Sequence, residues 1–310
     1  MRITIVGGGY VGSALASHWQ QQQQPQGQAR HWLRVTTTRS ERLAELAPLA
    51  DAVQLLDAAD PDQLREALEQ SEAAVFCLAP GGSRQVDADG YEATYLRSME
   101  ALAAVVPQLP RLQQLVYTSS CSVYGAATGL VDETTPPQPV ESHARILREA
   151  EERLLACRSP QRRVAILRLG AIYGPGRDLE PRFRSLAGSR RAGTGASLIS
   201  WIHRDDVVAA LVWAVEQGFD ELINLVDDEP ISVRELIDRC CQAAGLQPVI
   251  WEGDNNADAG GTPAGPAAEL APARRLSNRR LRELGLQLQH PRLPILSAPL
   301  SPGTGPLPPA

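Results

Sequence analysis

The sequence predicts an α/β fold in which a doubly wound parallel sheet carries a smaller C-terminal lobe, and three observations support this. Short apolar runs alternate with longer stretches of helical period along the first half of the 310 residues. These runs are continuously apolar, as is typical of strands that are covered on both faces. A glycine-rich turn joins the first apolar run to the first helical stretch, as at the start of many such sheets.

The predicted elements alternate regularly, which leaves room for a helix between neighbouring parallel strands. Strands are expected at 2–6, 32–37, 52–56, 73–78, 114–118, 164–169 and 222–226. Helices are expected at 13–20, 41–49, from Pro61 onward, and at 91–106, 142–157, 202–217, 232–244 and 277–285. Pro61 suits the first turn of a helix because its missing N–H is not needed there. Ser232 is the expected N-cap of the helix that follows it.

The glycine-rich turn is a G-x-G-x-x-G motif formed by Gly7, Gly9 and Gly12. One glycine permits a tight turn, one lets the backbone approach a pyrophosphate, and the last allows close helix–strand packing. The helix amino terminus adds free N–H groups and a partial positive charge. In this context the motif predicts a Rossmann-type dinucleotide site. A tight turn without a ligand is the simpler alternative.

The end of the second predicted strand favours NADP over NAD. NAD sites commonly place an acidic residue there to bind the ribose 2′-hydroxyl. This chain has Thr38 and Arg39, and no acid before Glu41. A hydroxyl and a guanidinium suit a 2′-phosphate. A surface arginine at the start of a helix is the simpler interpretation of Arg39.

The chain divides into regions of different composition. Residues 1–170 are expected to form the NAD(P)-binding Rossmann domain, and 171–290 a C-terminal substrate lobe interleaved with its sheet. Residues 252–273 are rich in Gly, Pro, Ala, Asp and Asn, which predicts a mobile loop. The proline-rich residues 291–310 are expected to be a disordered tail.

Charge and composition exclude several classes of function. The net charge of −6 argues against nucleic acid as a partner, and no apolar run is long enough for a membrane span. The five cysteines form no C-x-x-C pair and no Cys/His set with zinc spacing, so no metal site is predicted. Their odd number and the absence of a signal-peptide pattern predict a cytoplasmic protein. All 30 basic residues are arginine, which excludes lysine chemistry. A small-molecule substrate is expected, and a homodimer is left open.

Four further motifs follow the glycine turn in order. They are T-S-S-C-S-V-Y-G at 118–125, R-L-G-A-I-Y-G-P-G-R at 168–177, W-I-H-R-D-D-V at 201–207 and N-L-V-D-D-E-P at 224–230. Together they resemble the extended short-chain dehydrogenase/reductase superfamily, the NAD-dependent epimerase/dehydratase group, over about residues 1–250. The resemblance implies a Rossmann fold and hydride transfer between a nicotinamide and a polar substrate.

The resemblance also implies a set of cofactor contacts along the carboxyl ends of the strands. The implied contacts are Gly7, Gly9, Tyr10, Val11 and Gly12 at the pyrophosphate, Asp57 and Ala58 at the adenine, Leu78, Ala79 and Pro80 at the ribose and nicotinamide side, and Thr118 and Tyr173 near the nicotinamide. An alternative role for Asp57 is to cap the helix that begins near Pro61.

The superfamily's catalytic set is incomplete in this chain. Ser120 matches the hydroxyl that orients the substrate oxygen, but the usual Tyr-x-x-x-Lys pair is missing from the helix at 142–157. Val6 also stands where extended members have their first glycine. These departures resemble the atypical members, particularly the YeeZ-like group, whose helix carries a comparable Ser-x-x-x-Arg stretch.

The missing pair leaves the proton carrier open. His143 could exchange a proton near neutral pH, although a solvated histidine is the simpler interpretation. Arg145 and Arg177 could bind an anionic substrate. The sequence thus predicts an NADP-binding atypical dehydrogenase/epimerase homologue that acts on a sugar-like or nucleotide-sugar substrate. The alternative is a non-catalytic NADP(H) sensor or scaffold.

Overall fold

The computed structural model of the chain describes residues 1–22, 31–80, 86–253 and 273–294. Seven strands form one parallel sheet in the order β7-β6-β5-β4-β1-β2-β3. They are β1 (Arg2–Val6), β2 (Trp32–Thr37), β3 (Ala52–Leu55), β4 (Ala73–Phe76), β5 (Gln114–Ser120), β6 (Arg163–Leu169) and β7 (Leu222–Leu225). The predicted doubly wound parallel sheet is therefore confirmed.

Helices cover both faces of this sheet. They are α1 (Tyr10–Gln22), α2 (Leu43–Leu46), α3 (Pro61–Leu68), α4 (Ala88–Tyr91), α5 (Arg97–Val105), α6 (Ser142–Leu155), α7 (Leu179–Arg184), α8 (Arg204–Glu216), α9 (Val233–Ala243) and α10 (Arg279–Glu283). Side chains of α1 and α8 share one core with Ile3 and Ile5 of β1. Side chains of α3, α5 and α6 share the opposite core with Val6. The two cores follow from the alternation of side chains along each buried strand.

Short strand pairs lie outside the seven-stranded sheet in the second half of the chain. Ala171–Tyr173 runs parallel to Trp201–His203, and Leu198–Ile199 pairs antiparallel with Ile231–Ser232. No helix in the described ranges is long and apolar enough to span a membrane.

Two predicted helix starts agree with the structure. Pro61 is the first residue of α3, and the side chain of Asp60 caps that helix by accepting from the N–H groups of Asp62 and Gln63. Asp60, and not Asp57, is thus the cap. Ser232 caps α9 by accepting from the N–H of Glu235.

Three helix predictions need correction. The helix expected at 202–217 begins at Arg204, because Trp201–His203 forms a strand that pairs with Ala171–Tyr173. The helix expected at 41–49 is a short α-helix between two 3-10 turns. The helix expected at 91–106 starts earlier and contains a π-helical stretch at Glu92–Leu96.

The two segments expected to lack regular structure fall mostly outside the described residues. Of the predicted loop at 252–273, residues 254–272 lie outside them, as do residues 295–310 of the predicted tail. Of residues 291–294, Leu293 is fully buried in a cluster with Tyr173 and Trp201, whereas the other three are exposed.

Candidate functional site

A cleft of about 680 Å³ opens at the carboxyl ends of β4, β5 and β6. The strand order reverses beside it, between β1 and β4, where ligands bind in open α/β sheets. The predicted site residues that line it are Tyr10, Val11, Leu78, Ala79, Thr118, Ser120, His143 and Arg177. Residues that sequence reasoning missed also line it, among them Tyr91, Tyr95, Ile172 and Arg274.

The glycine turn has the geometry of an anion cradle. Gly7 has a φ of +101°, and a Cβ there would lie 2.6 Å from the carbonyl oxygen of Cys77. A Cβ on Gly12 would lie 2.1 Å from the carbonyl oxygen of Gly7, so this glycine allows α1 to pack closely. A Cβ on Gly9 would meet no atom within 4 Å. The first turn of α1 contains no acidic residue, so its positive end is uncompensated.

Two guanidinium groups flank Tyr10, the first residue of α1. The Cζ of Arg177 lies 4.2 Å from the centroid of the Tyr10 ring, and that of Arg204 lies 5.1 Å from it. Burial raises the pKa of Tyr10, so the phenol stays protonated at neutral pH. Within the described residues Arg177 has no ion pair, so its charge is available to an anion in the cleft.

The end of β2 is tied to the glycine turn by its hydroxyl side chains. The N–H of Gly7 donates to Oγ1 of Thr36 at 3.2 Å, and the N–H of Arg39 donates to Oγ1 of Thr37 at 3.2 Å. Thr38 and the side chain of Arg39 are exposed, with the Arg39 Nε 3.9 Å from a carboxylate oxygen of Glu41.

Arg42 is a second arginine near the glycine turn that sequence reasoning missed. Its Nη1 donates to the carbonyl oxygen of Gly8, while its Nε and Nη2 pair with Glu45 at 3.0 and 2.6 Å. Arg42 therefore braces the turn, whereas the guanidinium of Arg39 is exposed.

Buried polar contacts fix the end of β5. Oγ of Ser119 donates to Oε1 of Glu151 at 2.6 Å, and Arg168 pairs with the same carboxylate through Nε at 3.0 Å and Nη2 at 2.6 Å. Oγ1 of Thr118 donates to the carbonyl oxygen of Phe76 on β4 at 3.1 Å. Oγ of the next residue, Ser120, accepts from the N–H of Ser122 at 3.1 Å. The Ser120 hydroxyl thus stands at the cleft on a rigid strand end.

Three ring side chains, those of His143, Tyr91 and Tyr95, pack together in the lining of the cleft. The ring of His143, the second residue of α6, lies 4.3 Å from that of Tyr91, which lies 5.2 Å from that of Tyr95. Nε2 of His143 is buried and has no hydrogen-bond partner among the described residues. Burial raises the pKa of Tyr95 far above neutrality, which leaves it protonated. Tyr91 and Tyr95 lie far from α6 in sequence, so no local pattern could have indicated them.

Several predicted residues lie outside the cleft lining. Tyr173 follows Ile172 on a strand, so its side chain points the other way and its ring packs 5.0 Å from that of His203. Arg145 is an exposed residue of α6. The others outside the lining are Gly7, Gly9, Gly12, Thr38, Arg39, Asp57, Ala58 and Pro80.

Comparison with known proteins identifies the family. The model of the NAD dependent epimerase/dehydratase family matches residues 3–225. The chain belongs to this family. The protein YeeZ of Escherichia coli strain K12 is 31% identical over an alignment of 217 residues, which covers 68% of this chain and 71% of that protein. The predicted YeeZ-like resemblance is thereby confirmed.

Two solved structures share the fold of this family member. The UDP-glucose 4-epimerase of Thermus thermophilus, in complex with NAD, has a TM-score of 0.71 at 19% identity and covers 93% of this chain and 94% of its own. A functionally unknown conserved protein from Silicibacter pomeroyi has a TM-score of 0.68 at 24% identity, with 94% of both chains covered. At these identities the likeness establishes the fold alone.

Family membership confirms the coarse functional prediction from the sequence. The chain is a nicotinamide-dinucleotide-binding homologue of epimerases and dehydratases. Its residues fit such a cofactor, because Gly9 leaves room for a close approach at the uncompensated positive end of α1.

Proposed function

We propose that this family member is an NADP-dependent oxidoreductase or epimerase that acts on a small, anionic, sugar-like substrate, such as a nucleotide sugar. One observation carries the proposal: the α1 amino terminus, Ser120 and His143 line one cleft. A bound nicotinamide supplies a hydride acceptor or donor. Ser120 then orients the substrate oxygen, and His143 takes the place of the missing tyrosine as the proton carrier.

The cofactor is held mainly by backbone and by Arg39. The glycine turn and the first turn of α1, with Tyr10 and Val11, bind the pyrophosphate, and Asp57 and Ala58 after β3 flank the adenine. Leu78, Ala79, Pro80 and Thr118 line the side toward the nicotinamide. The exposed guanidinium of Arg39 and the hydroxyl of Thr38 bind the 2′-phosphate, which supports NADP over NAD.

Ser120 and His143 act on the substrate oxygen. The Ser120 hydroxyl is oriented by the rigid end of β5 and donates to or accepts from the oxygen of the reacting carbon. Nε2 of His143 has no partner among the described residues, so it can take the substrate's hydroxyl proton or return it. The imidazole is held against Tyr91, which limits its motion.

Arg177 binds the anionic part of the substrate. Its guanidinium lies over the Tyr10 ring at the mouth of the cleft and has no carboxylate partner among the described residues. Guanidinium groups pair well with phosphates. Arg145, which lies outside the cleft lining, is assigned no role in this proposal.

The five cysteines are buried and unpaired, which supports a cytoplasmic location as part of this proposal. A homodimer stays a prediction.

The proposal is tested by cofactor titration followed by a turnover screen. NADPH and NADH are titrated by fluorescence, and NADP turnover is then screened over alcohols and nucleotide sugars. We expect Ser120→Ala and His143→Gln to lower turnover by about 10²–10⁴ while the NADPH dissociation constant stays within about twofold. Ser17→Ala, which removes a hydroxyl on α1 outside the cleft lining, is the control and is expected to leave turnover unchanged.

The same experiment separates the alternative function. A protein that binds NADPH but turns over no member of the panel supports a sensor or scaffold and contradicts the enzyme proposal. A protein that binds neither dinucleotide contradicts both.

A further inference from the structure

A second cluster of chemistry-bearing side chains lies outside the cleft, at the start of α8. His203, Asp205 and His290 each place one ligand atom within 4.8 Å of the others. They come from two places in the chain: the junction between the strand Trp201–His203 and α8, which holds His203 and Asp205, and the segment before Pro291. The proposed reaction uses none of them.

The spacing of two donors is close to that of a metal site. Nδ1 of His203 lies 3.7 Å from Oδ2 of Asp205. Bonds of about 2.1 Å to nitrogen and oxygen at a tetrahedral angle require about 3.4 Å between these atoms. The other oxygen of Asp205 faces Nε of Arg204 at 3.5 Å, so Oδ2 is the one turned toward His203. The His203–Asp205 spacing is therefore about 0.3 Å wider than a bound ion requires, and the donor atom of His290 lies within 4.8 Å of both.

The tautomer of His203 puts a lone pair on the correct atom. The backbone N–H of Asp205 donates to Nδ1 of His203 at 3.2 Å, so Nδ1 is the unprotonated nitrogen. Neutral imidazole, with a lone pair on one ring nitrogen, is the form that binds metals. A metal at Nδ1 replaces this long hydrogen bond, and the carboxylates of Asp205 and Asp206 offset its charge at the positive end of α8.

His290 is held by its backbone while its ring is free to bind. The N–H groups of Gln289 and His290 donate to the two oxygens of Asp206 at 2.6 and 3.1 Å. The ring of His290 lies 3.7 Å from that of His203, and it makes no hydrogen bond to any described residue. The buried carboxylate of Asp206 thus fixes the backbone of a third ligand beside His203.

We propose that His203, Asp205 and His290 bind a divalent transition-metal ion, with Zn²⁺ as the ion that fits best. Two imidazole nitrogens and one carboxylate oxygen form a donor set that zinc prefers, with a fourth position open to solvent or a ligand. His203 also lines a cavity of about 490 Å³ together with Tyr173 and Pro294. Through its bonds to His290 on one side and to His203 and Asp205 on the other, the bound metal links the segment at 289–294 to the start of α8.

The test uses the full chain after treatment with EDTA. Co²⁺ is added and followed by visible absorption, the bound ion is counted by equilibrium dialysis, and Zn²⁺ is added to displace it. We expect one Co²⁺ per chain with the intense d–d bands of tetrahedral coordination. Asp205→Asn and His290→Ala are expected to weaken binding by more than about tenfold. His18→Ala, which removes a histidine on α1, is the control and leaves binding unchanged.

Three results overturn the proposal. They are the absence of Co²⁺ binding at millimolar concentration, an affinity unchanged in both variants, and a near-ultraviolet charge-transfer band, which indicates binding to cysteine instead. Thermal unfolding reports whether each variant folds, and His290→Gln replaces His290→Ala if that protein is unstable. NADPH binding is measured separately, so the outcome does not depend on the proposed function.

Discussion

The carboxylate of Glu151 is buried at the centre of the fold and accepts three hydrogen bonds. Its partners are Ser119, which precedes Ser120 on β5, and two nitrogens of Arg168. The side chains of Glu151 and Arg168 are 0% and 4% exposed. Each charge is tolerated in the core only because the other compensates it.

Glu151→Gln is therefore expected to destabilise the protein by about 3–5 kcal/mol, because Arg168 stays charged and loses its counter-ion. Denaturant unfolding monitored by circular dichroism measures the change. Glu152→Gln is the matched control, since Glu152 is a neighbouring residue with a surface ion pair to Arg148, and we expect a change within about 0.5 kcal/mol. Equal effects of the two substitutions would refute the role assigned to Glu151.

Asp227 makes the free energy of unfolding fall as the pH rises, whereas most carboxylates make it rise. It is 2% exposed, and burial, assisted by Asp228 and Glu229, raises its pKa to about 8 from an ordinary value of 3.8. Between these values the folded state holds a proton that the unfolded state releases. The contribution of this proton to the free energy of unfolding is complete below about pH 4 and is lost as the pH rises toward 8.

Asp227→Asn removes this dependence, because asparagine resembles the protonated acid. We expect the free energy of unfolding of the variant to exceed that of the wild type increasingly from pH 5 to pH 8, with a slope of up to about 1.4 kcal/mol per pH unit. Denaturant unfolding at four pH values measures it. A difference that does not grow with pH would show that Asp227 is ionised in the folded protein.

At the scale of elements, the end of β2 sets the cofactor preference that we propose. Arg39→Ala is expected to raise the NADPH dissociation constant by about tenfold or more and to change that of NADH less than about twofold, because only NADPH carries the 2′-phosphate. Fluorescence titration measures both constants. Arg65→Ala, on the surface of α3, is the control. An equal loss for both cofactors would contradict the assignment of Arg39.

The sequence predicted the strands of the sheet to within two residues at their ends. The apolar runs of β1 and β2 are bounded by polar or glycine residues, so their limits are visible locally. The predicted helix at 202–217 includes Ile202 and His203 of the strand Trp201–His203, because the apolar pattern continues from them into α8. Its partner strand, Ala171–Tyr173, is distant in sequence, and only the tertiary structure shows that they pair.

The candidate site was predictable where one segment carries it. The glycine turn and Ser120 each stand in a local motif, and the structure places the turn at the start of α1 and Ser120 in the cleft. Tyr91 beside His143, and His290 beside His203, are contacts between distant segments. No pattern of spacing encodes such contacts, so sequence reasoning missed them.

At the scale of the whole molecule, the strand order places the glycine turn and the ends of β4 and β5 at one edge of the sheet. Binding of a dinucleotide at that edge is the central claim. A ligand that binds only the folded protein also stabilises it, so cofactor binding has a second readout in thermal unfolding.

Titration of NADPH into Gly9→Ala tests this claim most directly. A Cβ at Gly9 meets no atom of the protein within 4 Å, and the φ of Gly9 is not positive. The free energy of unfolding of the variant is therefore expected to lie within about 0.5 kcal/mol of that of the wild type. The added methyl stands where the pyrophosphate must approach the backbone. We predict that NADPH affinity falls by more than about tenfold and that NADPH no longer raises the melting temperature. Unchanged affinity in this variant would contradict a dinucleotide site at the glycine turn.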